Sequence, residues 1–529
     1  MSYDIVIVGG GISGIYLMHQ LIEKHKNLKV VLLESSNRFG GRVYTHHEKV
    51  NGNDYLVDLG AGRLGFHHEH IMKLVKKLKL DKDIYPISNK SDYIENGVNK
   101  THIKNGVMKR LYDFLNLKKI KDLSKSFIQR FTFKEFLEKY ISKTVVDKMI
   151  RVFEYTSDFT LLNAYDSSRL FKTDYKQSHK YFVLKNGVQS ITDTMISRIK
   201  KHPSYPRRYK LKSGCMVDDI EFIHDSSLYK VCYTKTSDDK SLQLLTKKVV
   251  CALPRKSLVG FDILKPHHKD IESVKDVDLL RIYEIYKKPW FKTIPKTITN
   301  NQLQYIIPIH PDSGLIMTSY TDLKNSKYWL KLYTEKTEDE FKKILHAKLK
   351  STFNMDIPES IWLKFTYWDM GVAVWKKGVD SDYISEKILN LMPNFYICGE
   401  NYSTYQAWCE GALITADKVF KKIDCDVISP RLLTKKNHGG GKANKTKKTG
   451  KSKKKKFTME EVKKHNKKTD AWIVINKKVY NITSWIDKHP GGMVIMKGVG
   501  KDATNLFNSI GHPSFVKQKL LPKFLIGEI

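Results

Sequence analysis

The first apolar pattern along the chain predicts a strand that runs directly into a helix. Ile5 to Val8 form an unbroken β-branched run, which is typical of a strand buried on both faces. Helical spacing then follows at the apolar residues Ile15, Leu17, Met18 and Leu21. A further apolar run, Val30–Leu33, predicts a second buried strand, so the chain begins with a strand–helix–strand unit.

The turn between the first strand and the helix has the spacing Gly9-x-Gly11-x-x-Gly14. Glycines at these positions allow a tight turn, a close approach of a pyrophosphate to the backbone, and close packing of helix on strand. The N-terminal amides of the helix favour an anion. Glu34 ends the second strand about 20 residues after the last glycine, where a carboxylate holds ribose hydroxyls. Together these features predict a dinucleotide-binding site.

Later patterns predict a mostly helical stretch, residues 66–180, and then alternating strands. Thr132 and Glu135 have the spacing of a capping box, which starts a helix. The apolar positions that follow it have helical spacing and are expected to be core: Phe136, Leu137, Tyr140, Val145, Met149, Ile150 and Phe153. A later apolar run, Val249 to Leu253, predicts a buried strand that ends at Pro254.

Length and composition bound the class of protein. A chain of 529 residues is too long for one ordinary core, so two or three domains are expected. Its six cysteines are scattered without a paired spacing, which is typical of reduced thiols. The N-terminus enters a strand within three residues, and no apolar run approaches the roughly 18 residues of a membrane span. We therefore expect a cytoplasmic protein without a signal peptide or transmembrane anchor.

The net charge of +37 is partly explained by one segment. Half of the residues from Lys435 to Lys456 are lysine, and this stretch also contains three consecutive glycines. Such a sequence predicts a flexible, self-repelling linker. A solvated lysine-rich surface accounts for the remaining charge, and no specific nucleic-acid partner is expected. Weak binding to an anionic surface, or a polyanion-binding module built on this linker, stays open as an alternative.

Three later motifs resemble the flavin-containing amine oxidases over roughly residues 3–423. They are RFGGR at residues 38–42, DLGAGR at 58–63 and FYICGENYSTYQAWCEGA at 395–412. The resemblance implies a Rossmann-like FAD-binding domain (about 1–65, 181–262 and 388–425) within residues 1–434. A substrate domain (about 66–180 and 263–387), with a helical part and an antiparallel sheet, is interleaved with it. The fold class is thus α/β and α+β multidomain.

The same resemblance implies non-covalent FAD, because the segment in which monoamine oxidases attach FAD contains no cysteine here. The expected cofactor-binding residues are Gly9, Gly11, Ser13, Gly14, Glu34, Arg42, Gly60, Ala61, Gly62, Val217, Gly399, Glu400 and Ala412. Arg42 is expected to pair with phosphates, and Val217 to offer a backbone contact to adenine.

Four residues are expected to act at the substrate. In amino-acid oxidases an arginine directly after the glycine-rich turn holds the substrate carboxylate, and Arg63 has that position; the alternative is that it pairs with a structural carboxylate or a cofactor phosphate. Tyr320 adds a hydrogen bond to the same carboxylate, or is core. Trp408 has the family's substrate-facing aromatic position. Arg281 stands where the family places a lysine near the flavin, which puts fast reoxidation by oxygen in doubt.

Residues 457–529 predict a separate α+β haem-binding domain. His489 lies in an HPGG motif, and His512 follows a second glycine, with an apolar pocket between them. Two such histidines can supply both axial nitrogens of a haem iron. The segment resembles cytochrome b5 along its whole length, which implies haem b held by His489 and His512.

These features predict an FAD-dependent oxidase that converts an amine, the α-amine of an L-amino acid, to an imine. Electrons pass to oxygen or to the fused b-type haem. The expected partners are therefore a small amine or amino acid and oxygen or an electron-transfer partner. One alternative is an amine or polyamine oxidase that makes hydrogen peroxide while the haem domain serves a separate partner.

Overall fold

The computed structural model describes residues 2–175, 178–435, 456–489, 492–509, 516 and 521–529. The chain divides into two compact units, Met1–Lys436 and Asn437–Ile529, called here the N-terminal and C-terminal units. Most of the predicted linker, residues 436–455, and the predicted haem ligand His512 lie outside the described residues. Across the described ranges, every helix is too short or too polar to span a bilayer.

The first sheet of the N-terminal unit has seven strands and contains the predicted strand–helix–strand unit. Its order is Tyr209–Lys212, Val30–Leu33, Ser2–Val8, Lys240–Cys251, Leu228–Lys235 and Cys215–Ile223, with Phe395–Ile397 also paired to Lys240–Cys251. Five of these strands pair in parallel, whereas 228–235 pairs antiparallel with both 240–251 and 215–223. Three separate segments of the chain therefore build this one sheet, and the glycine-rich turn lies at the carboxyl end of its central strand.

The second sheet is also seven-stranded and is mostly antiparallel. Its order is Trp362–Trp375, Val274–Ile285, Leu315–Asp322, Tyr305–His310, Lys296–Thr299, Ser91–Glu95 and Val98–Asn99. Two smaller sheets complete the unit: the hairpin Thr45–Val50 with Asn53–Asp58, and the strands Leu64–Gly65, Tyr181–Leu184 and Ile84–Ile87.

Helices pack on both large sheets. The α-helices are Ile12–Lys24, Glu69–Leu78, Thr101–Asn116, Lys118–Lys121, Lys125–Ile128, Phe133–Glu138, Lys143–Arg151, Ser157–Thr160, Ala164–Thr173, Ser190–Lys200, Arg255–Leu258, His268–Ile271, Leu323–Glu335, Glu338–Phe353, Ser381–Ile388 and Cys409–Lys435. Short 3₁₀ helices lie at Asp81–Asp83, Asp262–His267 and Glu400–Tyr402.

The predicted capping box forms, but the helix after it is shorter than the apolar spacing suggested. The Thr132 side chain accepts from the Glu135 amide, and Glu135 accepts from the Thr132 amide. The helix then ends at Glu138, and a second helix starts at Lys143. The prediction that Tyr140 is core is wrong, because it lies between the helices with 41% of its surface exposed. Its ring instead covers Phe114 and Phe136 from the solvent side.

The C-terminal unit has a four-stranded sheet in the order Asn466–Lys467, Asp470–Ile475, Lys478–Asn481 and Leu525–Glu528. Its described helices are Met459–Lys464 and Thr504–Ser509, with 3₁₀ helices at Thr483–Lys488, Gly492–Gly498 and Leu521–Phe524. Ile473, Ile482, Ile486 and Phe507 are among the buried residues of its own apolar core. The unit is therefore a small α+β fold, as predicted.

Candidate active site and cofactor cradle

The glycine-rich turn packs closely against the protein on one side and is open on the other, as the binding of a pyrophosphate requires. A Cβ on Gly14 would lie 2.1 Å from the Gly9 carbonyl oxygen, so this glycine allows the helix to pack against the strand end. A Cβ on Gly11 would meet no protein atom within 4 Å, so the turn is open on that side. Gly399 approaches the same region, since a Cβ on it would lie 3.9 Å from Ser13 Oγ. The helix Ile12–Lys24 directs its free N-terminal amides to this opening.

Glu34 is held in place at the end of its strand. Its Oε2 accepts from the Gly10 amide at 2.7 Å, and its Oε1 accepts from the Ser36 amide at 2.9 Å. The Cys215 amide donates to the Glu34 backbone carbonyl, which brings the strand bearing Val217 alongside. Glu34 therefore lies beside the open turn, next to the strand that bears Val217, and the contacts of both residues with ribose and adenine stay predictions.

Arg42 and Glu400 pair with each other across 358 residues of sequence. Arg42 Nη1 lies 2.8 Å from Glu400 Oε2, and Arg42 Nη2 donates to Asn401. Glu400 Oε1 also accepts from the Ala373 and Ala407 amides. The pair thus fastens the RFGGR loop to the start of the last segment of the first sheet. Contacts of either residue with the cofactor stay a prediction.

The turn Asp58 to Gly62 is clamped from the second sheet. Arg281 Nη1 donates to the Asp58 carbonyl at 2.9 Å and to the Gly60 carbonyl, and Tyr283 donates to the Asp58 carbonyl at 2.7 Å. The guanidinium of Arg281 also lies over the ring of Tyr320, 4.5 Å from its centroid. Arg281 therefore links the glycine-rich turn to the substrate sheet, a role that its position in sequence did not reveal.

A cavity of about 860 Å³ lies where these elements meet. The predicted residues Ala61, Gly62, Arg63, Arg281, Tyr320 and Trp408 all line it. The structure thus brings all four predicted substrate residues together. The other predicted cofactor residues lie in the cradle described above, except Ala412, which is a buried residue in the first turn of the helix Cys409–Lys435.

Arg63 enters this cavity without a carboxylate partner among the described residues. Its Nη2 donates to the Tyr155 hydroxyl at 3.0 Å, and it also reaches the Tyr305 hydroxyl. Its guanidinium lies 5.2 Å from the ring centroid of Tyr181 and 5.5 Å from that of Trp408. Aromatic rings and hydroxyls therefore position the cation but leave its charge unpaired.

Sequence reasoning missed the cavity residues Tyr155, Asp158 and Lys296, and also Tyr305, which interacts with Arg63. Burial raises the pKa of Asp158 to about 7, although Tyr175 donates a hydrogen bond to its carboxylate. Burial and the neighbouring Arg63 charge lower the pKa of Lys296 to about 7. These residues belong to no recognisable motif, so only the fold reveals them.

A buried polar cluster supports Trp408 from behind. The His68 ring packs edge-on against it, with centroids 4.8 Å apart. Asp174 Oδ1 accepts from His67 Nε2 at 2.7 Å, from His68 Nε2 at 3.2 Å and from the Tyr405 hydroxyl at 2.7 Å. Burial alone would raise the pKa of Asp174, but the hydrogen bonds from the two histidines hold it below its usual range.

In the C-terminal unit, His489 directly follows the 3₁₀ helix Thr483–Lys488 and is partly buried, and its amide donates to the carbonyl of Ile486, a residue of the apolar core. An imidazole at the edge of an apolar pocket has the donor chemistry of a haem axial ligand. The second predicted ligand, His512, lies outside the described residues.

Comparisons with known proteins agree with this two-part architecture. A family model described as flavin containing amine oxidoreductase matches residues 12–419, and one described as cytochrome b5-like heme/steroid binding domain matches residues 458–529. A structure of wild-type putrescine oxidase bound to putrescine covers 80% of this chain and 99% of its own, with a TM-score of 0.62 and 14% identity. That likeness shows the fold alone.

Curated proteins with a similar sequence match a stretch of the length of the cytochrome b5-like domain. An acyl-lipid (8-3)-desaturase of Physcomitrium patens is 51% identical over 75 residues, which are 14% of this chain and 15% of that protein. Cytochrome b5 isoform E of Arabidopsis thaliana is 47% identical over 74 residues, again 14% of this chain but 54% of that protein. The chain therefore spans about half the length of the cytochrome b5 relatives it matches.

The two families imply FAD and haem as cofactors, as the sequence predicted. The open side of Gly11, the fixed Glu34 carboxylate and the helix N-terminus fit FAD, and His489 fits haem. Non-covalent attachment of FAD stays a prediction. From its motifs, its fold and the match over residues 12–419, we conclude that the chain belongs to the family of flavin-containing amine oxidoreductases and carries a C-terminal cytochrome b5-like domain.

Proposed function

We propose that this protein oxidises the α-amine of an L-amino acid. The observation that carries the proposal is the unpaired Arg63 guanidinium, which lines the same cavity as the Asp58–Gly62 turn. A buried guanidinium is a strong bidentate partner for a carboxylate, and leaving it unpaired is costly. A substrate α-carboxylate supplies the missing negative charge.

The described residues then orient the substrate. Arg63 binds the carboxylate, while its hydrogen bond to Tyr155 and its interaction with Tyr305 position the guanidinium. Trp408 and Tyr181 close one side of the site with apolar surface, which limits water. When bound, FAD supplies the two-electron acceptor for the hydride that leaves the α-carbon. The amine loses one proton to solvent as the carbon–nitrogen double bond forms, and water later hydrolyses the imine.

Arg63 also argues against a simple diamine or polyamine as substrate. A cationic amine placed in this cavity meets several positive groups, among them Arg63, Arg281 and Lys296. The likeness to putrescine oxidase concerns the fold and does not decide the substrate. An amine oxidase that makes hydrogen peroxide nevertheless remains the alternative that an experiment must exclude.

The electrons are proposed to leave for oxygen or for the haem of the C-terminal unit. Two observations support this proposal: a flavin family and a haem-binding family match the same chain, and Arg281 stands where the flavin family has a lysine. The full-length His489→Ala variant tests this point, because it removes one axial ligand and keeps the chain intact. If haem is the acceptor, the wild type reduces its haem under argon, and the variant diverts electrons to peroxide in air.

The substrate proposal is tested with absorbance spectra of the purified protein under argon. L-amino acids and the amines made by their decarboxylation are added in matched pairs. Bleaching of the flavin by amino acids but not by their amines supports the proposal. Bleaching by the amines alone overturns it. The Arg63→Met variant should lose the preference for the carboxylated partner while it keeps its flavin spectrum.

A further inference from the structure

A second unpaired cation, Lys296, lines the same cavity as Arg63. It begins the strand Lys296–Thr299 and is partly buried, and within the described chain it has no ion-pair partner. The cavity is also lined by the exposed residues Tyr85, Ser88 and Lys90, which mark its solvent side. Lys296 pairs in register with Ser91, the residue next to Lys90, so it lies between that opening and the interior.

The strand register places Lys296 on the same face of the second sheet as Tyr305, which interacts with Arg63. Ile298 lies directly opposite Tyr305, so these two side chains project from one face of the sheet. Lys296 is two residues from Ile298 and therefore projects from that face as well, about 7 Å further along the strand. Since the Tyr305 hydroxyl reaches Arg63, the two cations lie along one wall of the cavity.

The nearby carboxylates do not neutralise the charges of Arg63 and Lys296. Asp58 accepts from Thr45 Oγ1 at 2.6 Å and from the Val188 amide, and Asp158 accepts from Tyr175, so both carboxylates have other partners. Glu154 is close enough to influence both cations but forms no ion pair with either in the described residues. Arg63 and Lys296 thus face one cavity without matching anions, whereas Arg281, which also lines it, is engaged by the carbonyls of Asp58 and Gly60.

We propose that the substrate is an L-amino acid with an acidic side chain, whose α-carboxylate binds Arg63 and whose side-chain carboxylate binds Lys296. This inference rests on the proposed function and specifies the substrate class of the same site. Lys296 acts here as a specificity-determining residue, because it contacts the end of the substrate that does not react. A neutral isostere such as glutamine leaves its ammonium unpaired.

The test compares acidic amino acids with their amides on the full-length holoprotein. kcat/KM is measured for L-glutamate and L-aspartate against L-glutamine and L-asparagine, for the wild type and for Lys296→Met. We expect the wild type to prefer an acid over its amide by about 30-fold or more, the usual effect of leaving one member of a buried charge pair alone. Lys296→Met should abolish this preference through KM, and Lys296→Arg should restore most of it.

The control is Lys82→Met, which removes an exposed lysine that does not line the cavity and should leave the preference unchanged. Glutarate, which lacks the amine, gives a second measurement without turnover: it should inhibit the wild type competitively and the Lys296→Met variant much more weakly. Equal oxidation of acids and amides, or an unchanged preference in Lys296→Met, overturns the inference while the proposed function stands. Oxidation of amines alone overturns both.

Discussion

Replacing Asp174 by alanine removes the centre of the buried cluster behind Trp408. The carboxylate is fully buried, and its Oδ1 accepts from His67, His68 and Tyr405. Of these donors, the His68 side chain is fully buried, whereas His67 keeps 19% of its surface exposed and regains water. The substitution therefore leaves two poorly solvated donors, His68 Nε2 and the Tyr405 hydroxyl, without their acceptor.

The expected loss of stability follows from those two donors. An unsatisfied buried donor costs about 1–3 kcal/mol, and relief of the buried charge offsets part of the sum, so the free energy of unfolding should fall by about 2–4 kcal/mol. Because the pKa of Asp174 is lowered in the folded state, this contribution is complete above about pH 4 and is lost as the pH falls through the folded-state value. The loss is therefore largest near neutral pH.

The assay is urea unfolding of the full-length holoprotein at pH 7, followed by flavin fluorescence. Asp54→Ala is the matched control, because Asp54 pairs with His47 at 3.0 Å while both side chains are more than 60% exposed. That exposed pair should contribute less than about 1 kcal/mol. Asp174→Asn keeps an oxygen acceptor and should fall between the wild type and the alanine variant. Equal stabilities of Asp174→Ala and Asp54→Ala would refute the reasoning.

Three further outcomes are expected. Gly11→Ala should lower flavin content without changing the stability of the apoprotein, since the added Cβ enters open space. Gly14→Ala should lower both the flavin content and the stability of the apoprotein, and equal effects of the two variants on that stability would contradict this. kcat/KM for L-glutamate, but not L-glutamine, should fall as the pH rises through about 7, where Lys296 loses its proton beside Arg63; identical profiles would count against a binding role. Arg281→Lys should speed reoxidation by oxygen in stopped-flow measurements, and an unchanged rate would limit Arg281 to its clamp on the turn.

Individual strands and helix starts of this protein were predictable, because interactions between residues close in sequence determine them. The β-branched run Ile5 to Val8 forms the central buried strand, and Thr132 and Glu135 form their capping box. The apolar spacing after that box misplaced Tyr140, because spacing alone does not show where a helix ends. Tertiary packing set that end.

The composition of the site was predictable only where a motif marks it. Arg63 follows a recognisable glycine-rich turn, Trp408 directly precedes a recognisable helix start, and both line the cavity. Lys296 and Tyr305 lie in ordinary strands of the second sheet, whose neighbours are chosen by strand pairing. Nothing within a few residues of either one points to a substrate.

The sequence by itself determined the two-part architecture, the dinucleotide turn and the candidate carboxylate clamp, because each depends on residues close together in the chain. Only the tertiary structure decided which charges meet. It paired Arg42 with Glu400 across 358 residues, and it gave Arg63 a tyrosine 92 residues away instead of a carboxylate. The chemical role of a charged side chain depends on whether an opposite charge faces it, and that is settled by the long-range packing of segments that are distant in the sequence.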